Sequence, residues 1–182
     1  MGFAVAAVLA GVACNRGGDT SVVGHAVARE PVDAAGLRFD LPAGWQATAP
    51  QSAMRAAQVT ISGPAGPAEL AVFHFGAGQG GGIDANLGRW QSQMEVGSGA
   101  EPKREFFETN GLGVTWIEIA GTLKAGQMGM GPSSAQPNSL LYGAVIEGPG
   151  GPWFFKATGP EGTLGPRRDE FLALLKSARP RR

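Results

Sequence analysis

The sequence predicts an α+β domain, a mainly antiparallel sheet of about six to seven strands covered by two principal helices. Three observations lead there. From Gly36 onward turn residues recur every eight to twelve positions, the spacing of short strands joined by tight turns. Between them apolar and polar residues alternate, the period of a half-buried strand. In two places only, the period changes to that of an amphipathic helix, and such helices need a sheet face on which to bury their apolar stripe.

The elements follow in order. Leu37-Arg38-Phe39-Asp40-Leu41 alternates as a strand and stops at Pro42-Ala43-Gly44-Trp45. Ala57 to Ser62 and Glu69 to Phe75 read as strands joined across Gly63-Pro64-Ala65-Gly66-Pro67. Between residues 83 and 95, Ile83, Leu87, Trp90 and Met94 fall on one helical stripe. Lys103 to Thr109 and Val114 to Ala120 flank Asn110-Gly111, a strong hairpin turn. Leu140 to Glu147 and Trp153 to Thr158 flank a second turn at Pro149-Gly150-Gly151. A closing helix is expected from about Gly165, with Pro166 in its first turn and Phe171, Leu174, Leu175 and Ala178 on its apolar face. Hairpins throughout imply antiparallel pairing.

Composition sets outer bounds. The 182 residues include 30 glycines and 13 prolines, only 16% are charged, and the formal net charge is zero. A chain without excess positive charge is not expected to bind nucleic acid. Nor does it have the high net charge of a disordered chain.

The first thirteen residues are uncharged and mostly apolar, too short for a membrane span but matching a secretory leader with small residues before a cleavage site. Ala10-Gly11-Val12-Ala13-Cys14 resembles the lipobox of bacterial lipoproteins. That resemblance implies a lipid on Cys14, the only cysteine, and places the protein on a membrane of the bacterial cell envelope. The charged stretch that usually precedes such a leader is missing, in keeping with a natural start upstream of Met1. Residues 14–35 then form the lipidated cysteine and a flexible linker, about 25 Å from end to end. The globular domain is expected over 36–178. A short basic tail, 179–182, follows it as a solvated, frayed end. The partners expected are the membrane, through the anchor, and a further envelope protein.

Leu37-Arg38-Phe39-Asp40-Leu41-Pro42-Ala43-Gly44-Trp45 resembles the opening of PsbP-like domains. The hairpin carrying Trp153-Phe154-Phe155-Lys156 and the helix after Gly159-Pro160 are similar to that family's ending. The resemblance implies an antiparallel sheet sandwiched by helices. The matching residues are packing and turn residues, so no functional residue is carried over.

Gly76-Ala77-Gly78-Gln79-Gly80-Gly81 fits G-x-G-x-x-G between a strand and a helix, where backbone amides at a helix start can receive a phosphate. The flanking strands are hairpin strands and no acidic partner follows at the expected distance, so a nucleotide is not expected. Gly78, Gly80 and Gly81 remain candidates for a simpler anion or ligand. His74 stands among apolar strand neighbours, where a structural histidine is the plainer reading. Met128 and Met130, in the unpatterned Lys124–Asn138 loop, offer two soft thioethers, too few for a copper site without a third donor. No cofactor or metal is expected. The acids Glu95, Glu101, Glu105, Glu108 and Glu118 have basic neighbours and read as a solvated strand edge. A non-enzymatic, lipid-anchored binding or scaffolding domain is therefore expected. The alternative is a small-ligand or anion-binding domain, enzymatic or not, formed where the Gly76–Gly82 loop, the Lys124–Asn138 loop and His74 converge on one polar pocket.

Overall fold

The computed structural model describes residues 1–2, 30–97, 101–126 and 132–181. It is α+β. A large antiparallel sheet contains β3 (Trp45–Thr48), β4 (Arg55–Ile61), β5 (Ala68–His74), β6 (Met94–Glu95), β7 (Lys103–Thr109), β8 (Leu112–Leu123), β9 (Gln136–Glu147) and β10 (Trp153–Pro160). Their order is β3-β4-β5-β10-β9-β8-β6, and β7 also pairs with β8. A small sheet, β1 (Pro31–Ala34), β2 (Leu37–Asp40) and β11 (Arg179–Pro180), runs in the order β1-β2-β11.

These eight and three strands exceed the expected six to seven because β1, β3, β6 and β11 are only two to four residues long. Such segments are too short to display alternation. Two boundary expectations are corrected with them. Pro31–Ala34, assigned to the linker, is a strand. Arg179 and Pro180, assigned to a frayed tail, pair with Arg38 and Leu37 of β2. Arg179 bonds Asp40 at 2.8 Å and Arg181 bonds Asp33 at 3.2 Å, so cross-strand charge pairs hold the end in place.

The sheet is apolar on both faces, and each face has its own cover. On one side, Trp116, Tyr142 and Phe155 meet Phe39 of β2 and Phe171 of α3 (Arg168–Ser177). Helical structure begins earlier than expected, at α2 (Glu161–Leu164), and a 3₁₀ turn at Gly165–Arg167 links it to α3. Pro166 falls in that turn, where its missing N–H costs nothing. On the other side, Leu87 and Trp90 of α1 (Ile83–Ser92) bury Ile117, Ile119, Leu141 and Phe154. Asp84 in the first turn of α1 and Arg89 in the last oppose the helix dipole favourably.

Asn110 and Gly111 both have positive φ, 48° and 76°, as a two-residue type I′ hairpin requires. The Asn110 amide donates to the carbonyl of Ala178 at 2.8 Å, fastening this hairpin to the end of α3. No helix among the described residues is long and apolar enough to cross a membrane.

Candidate functional site

The glycine-rich loop serves packing. Gly80 has φ +82°, and a side chain there would run into the rings of Phe154 and Phe75. The buried Asn86, 3% exposed, turns its amide back from α1 and donates to the carbonyls of Gly80, Gly81 and Gly82 at 2.9, 3.3 and 3.0 Å. The loop thus presents its carbonyls to its own helix and lids an aromatic cluster. The strand before it, β5, pairs antiparallel with β4 and β10, not in a parallel βαβ unit. Gly78 has φ +71° and stands in open space.

His74 ends β5. Its ring stacks on Trp153 at 4.5 Å, and Nδ1 lies 3.1 Å from the carbonyl oxygen of Pro152. A carbonyl only accepts, so Nδ1 carries the proton. Met128, Met130 and Cys14 lie outside the described residues.

Among the described residues, the convergence that the alternative reading requires is not seen. Trp153 at the start of β10 pairs with His74, whereas Pro160 at its end pairs with Ser139, next to the Lys124–Asn138 loop. Seven residue steps along a strand separate these points by roughly 24 Å. The described part of that loop borders a shallow groove of about 440 Å³ with Glu95, Thr122 and Glu161. A second depression, about 670 Å³, is lined by Arg38, Asn110, Arg179 and Pro180. Neither includes His74 or the glycine loop. Among the described residues no group of three or more His, Cys, Asp or Glu is placed to hold a metal ion.

A different polar constellation stands out on the large sheet. Helix α1 covers β8, β9 and Phe154 of β10 and reaches Phe73 of β5, and the rest of the same face, on β3, β4, β5 and β10, carries a half-buried polar strip. The strand alternation puts Thr48, Gln58, Ala71, Lys156 and Gly143 in one row across that face. Gln46, Thr60, Glu69 and Thr158 form the next. A register shift between Arg55 and Ala57 in β4 brings Arg55 onto the same face. Its guanidinium bonds Gln58 at 2.7 Å and Glu69 at 2.8 Å. Lys156 Nζ donates to Gln93 Oε1, just past the end of α1, at 2.7 Å.

Arg55 therefore holds Glu69 directly, whereas Lys156 is bonded to Gln93 and feels both charges through space. Burial, and next the positive charge of Arg55, hold the Lys156 ammonium below its ordinary pKa, and Glu69 partly opposes this. One of the three Lys156 donors is engaged by Gln93, leaving two for a ligand. Of its row neighbours, Ala71 is buried and Gly143 is covered by the Trp90 ring, so the Lys156 ammonium is reached only from the Thr158 and Glu69 side of the strip. The patch is suited to hydrogen-bonding an anionic or amide-rich surface. The sequence reading missed it. Its signal was the alternation in Phe154-Phe155-Lys156, which places a lysine on the Phe154 face within an otherwise apolar strand.

No family model matches the chain. No curated protein matches it either. Its fold is similar to the solution structure of cyanobacterial PsbP (CyanoP) from Synechocystis sp. PCC 6803, with a TM-score of 0.46 and 14% identity, over 85% of this chain and 94% of that one.

The opposite face is held by charge and stacking. Arg168 of α3 bonds Glu118 at 2.9 Å and Glu105 at 3.0 Å, and its guanidinium lies 4.8 Å from the centre of the Trp116 ring. Tyr142 donates its hydroxyl to the carbonyl of Leu164 at 3.2 Å, and burial, assisted by Glu118, raises its pKa.

Proposed function

We propose that this chain is a lipid-anchored protein of the bacterial cell envelope whose domain binds or scaffolds another envelope component through the polar strip around Lys156. The observation that carries the reading is the apolar leader closing on Cys14, followed by residues without a core-forming pattern. The placement of the strip supports it. The chain enters the domain through β1, and the small sheet packs on one face of the large sheet. The Arg55–Glu69–Lys156 strip lies on the other, so a domain tethered by residues 15–30 can turn that strip toward a partner.

The test has two stages. Labelled palmitate is fed to a bacterial host expressing the chain, which should incorporate label that Cys14→Ser abolishes. A photo-cross-linking residue at Thr60, on the strip, should then capture a defined envelope protein, and the same group at Asp169, exposed on α3 on the other face, should not. Absence of lipid label overturns the anchoring. Equal capture from both positions overturns the assignment of the strip.

A further inference from the structure

We propose that β7 is a homodimerisation edge, at which two copies of this chain join their large sheets through an antiparallel β7–β7 pair centred on Phe106. Among the described residues β7 pairs only with β8, so its outer edge has no strand beside it.

The parity of its backbone is fixed by the hairpin. The two-residue Asn110-Gly111 turn makes Thr109 and Leu112 a hydrogen-bonded pair. Hydrogen-bonded and non-hydrogen-bonded positions then alternate along an antiparallel pair. Thr109, Phe107, Glu105 and Lys103 exchange hydrogen bonds with β8, whereas the N–H and C=O of Arg104, Phe106 and Glu108 point away from it. The side chains of those three residues also share one face, because they pair with Ile117, Thr115 and Gly113 of β8. Phe106 is 61% exposed, the largest exposure of any aromatic residue among the exposed large hydrophobics.

Read in either direction about Phe106, this edge is its own complement. A two-fold axis through the Phe106 pair sets Arg104 opposite Glu108 of the second copy and Glu108 opposite its Arg104. The outward amides and carbonyls of all three residues then meet partners in register. Pro102, without an N–H, lies opposite the second copy's turn residue Asn110, so the ladder ends at the same place on both sides. Charges on an edge strand ordinarily discourage pairing with any passing strand. Here their order excludes other registers: a one-residue slip moves the side chains to the wrong face, and a two-residue slip leaves both charges unmatched. The occupant that fits is a second copy of this chain. The inference is independent of the anchor, although tethering two copies to one membrane would raise their effective concentration.

The test uses the whole chain carrying Cys14→Ser, so that acylation does not contribute. Sedimentation velocity from about 1 to 300 μM should show reversible dimerisation in the micromolar range. Arg104→Glu sets like charges opposite each other twice in the dimer and should weaken association about tenfold or more. Glu108→Arg should do the same, and the double variant Arg104→Glu/Glu108→Arg should restore it to within about threefold. Both residues are exposed, but Arg104 also bonds Asp84 of α1 at 2.8 Å; near-parental melting of each variant confirms the fold, and an Asp84→Asn variant, which loses only that intrachain pair, should leave association unchanged. Hydrogen exchange supplies a second readout: the amides of Arg104, Phe106 and Glu108 should become protected as concentration rises, whereas that of Phe107 is protected throughout. A chain that stays monomeric, a dimer indifferent to Arg104→Glu, or a double variant that does not recover overturns the proposal.

Discussion

Gly143→Ala and Gly88→Ala are the same chemical change with opposite expected outcomes, and together they test how α1 sits on the sheet. Gly143 lies in the middle of β9, between Ile117 of β8 and Lys156 of β10, on the face that α1 covers. A β-carbon there would occupy the space of the Trp90 ring. Trp90 is only 4% exposed and packed among Ile117, Leu141 and Val145, so it has no free volume into which to retreat. Overpacking of this kind costs about 1–3 kcal/mol. The lower chain entropy of alanine returns about 0.5–1 kcal/mol. The net is a destabilisation of about 1–2 kcal/mol, a fall in Tm of roughly 3–7 °C for a domain of this size. Gly88 is on the outer side of α1 with nothing within 4 Å of its added β-carbon. Alanine there should stabilise by about 0.8–1 kcal/mol through helix propensity alone. Urea unfolding of both variants and the parent, with matched m-values, gives the two numbers. In a Trp90→Leu background the Gly143→Ala penalty should shrink, because the clash is with the indole. If Gly143→Ala leaves stability unchanged or raises it, or if its cost persists in Trp90→Leu, then α1 does not pack on the sheet as described.

Two further outcomes follow from the polar groups. In the folded chain the Lys156 pKa is lowered from 10.5, so between that lowered value and about 10.5 the unfolded state binds more protons and stability from this group rises with pH; in Lys156→Met that part of the rise should be absent from the urea midpoints. Asn86→Ala removes the donor that holds three carbonyls of the glycine loop; it should cost about 1–3 kcal/mol and speed hydrogen exchange in residues 76–82, and unchanged exchange there would show that the loop is held by other contacts.

Where residues alternate over five or more positions, the sequence reading and the structure agree to within a few residues, as at β4, β5, β7 and β10. Alternation works there because each strand has one face toward a core. β9 was recognised through Leu140–Glu147, although it begins at Gln136, because its first residues are exposed polar ones without a pattern. β11 owes its existence to β2, some 140 residues earlier, and no local signal announces it; β1 pairs locally with β2 across Ala35-Gly36 but is only four residues long. The glycine loop was legible as a break between strand and helix. That Gly80 is shaped by Phe154, some seventy residues later, was not. The Lys156 patch was hidden for a similar reason: Arg55 reaches it through an irregularity in β4, and whether a helix lies over that part of the sheet depends on which strands α1 happens to cross.

The pairing order also governs when the protein can exist as a folded object during its synthesis. In the large sheet β5 lies beside β10, and in the small sheet β2 lies beside β11. The first hairpins of the domain must wait for residues near its last turn before their open edges are filled. Contacts this distant in sequence slow folding, because a long loop is closed before any pairing rewards it. A chain emerging from the ribosome cannot complete the large sheet until β10 is out, nor the small one until Arg179 follows, so each sheet keeps an open edge until its last strand arrives.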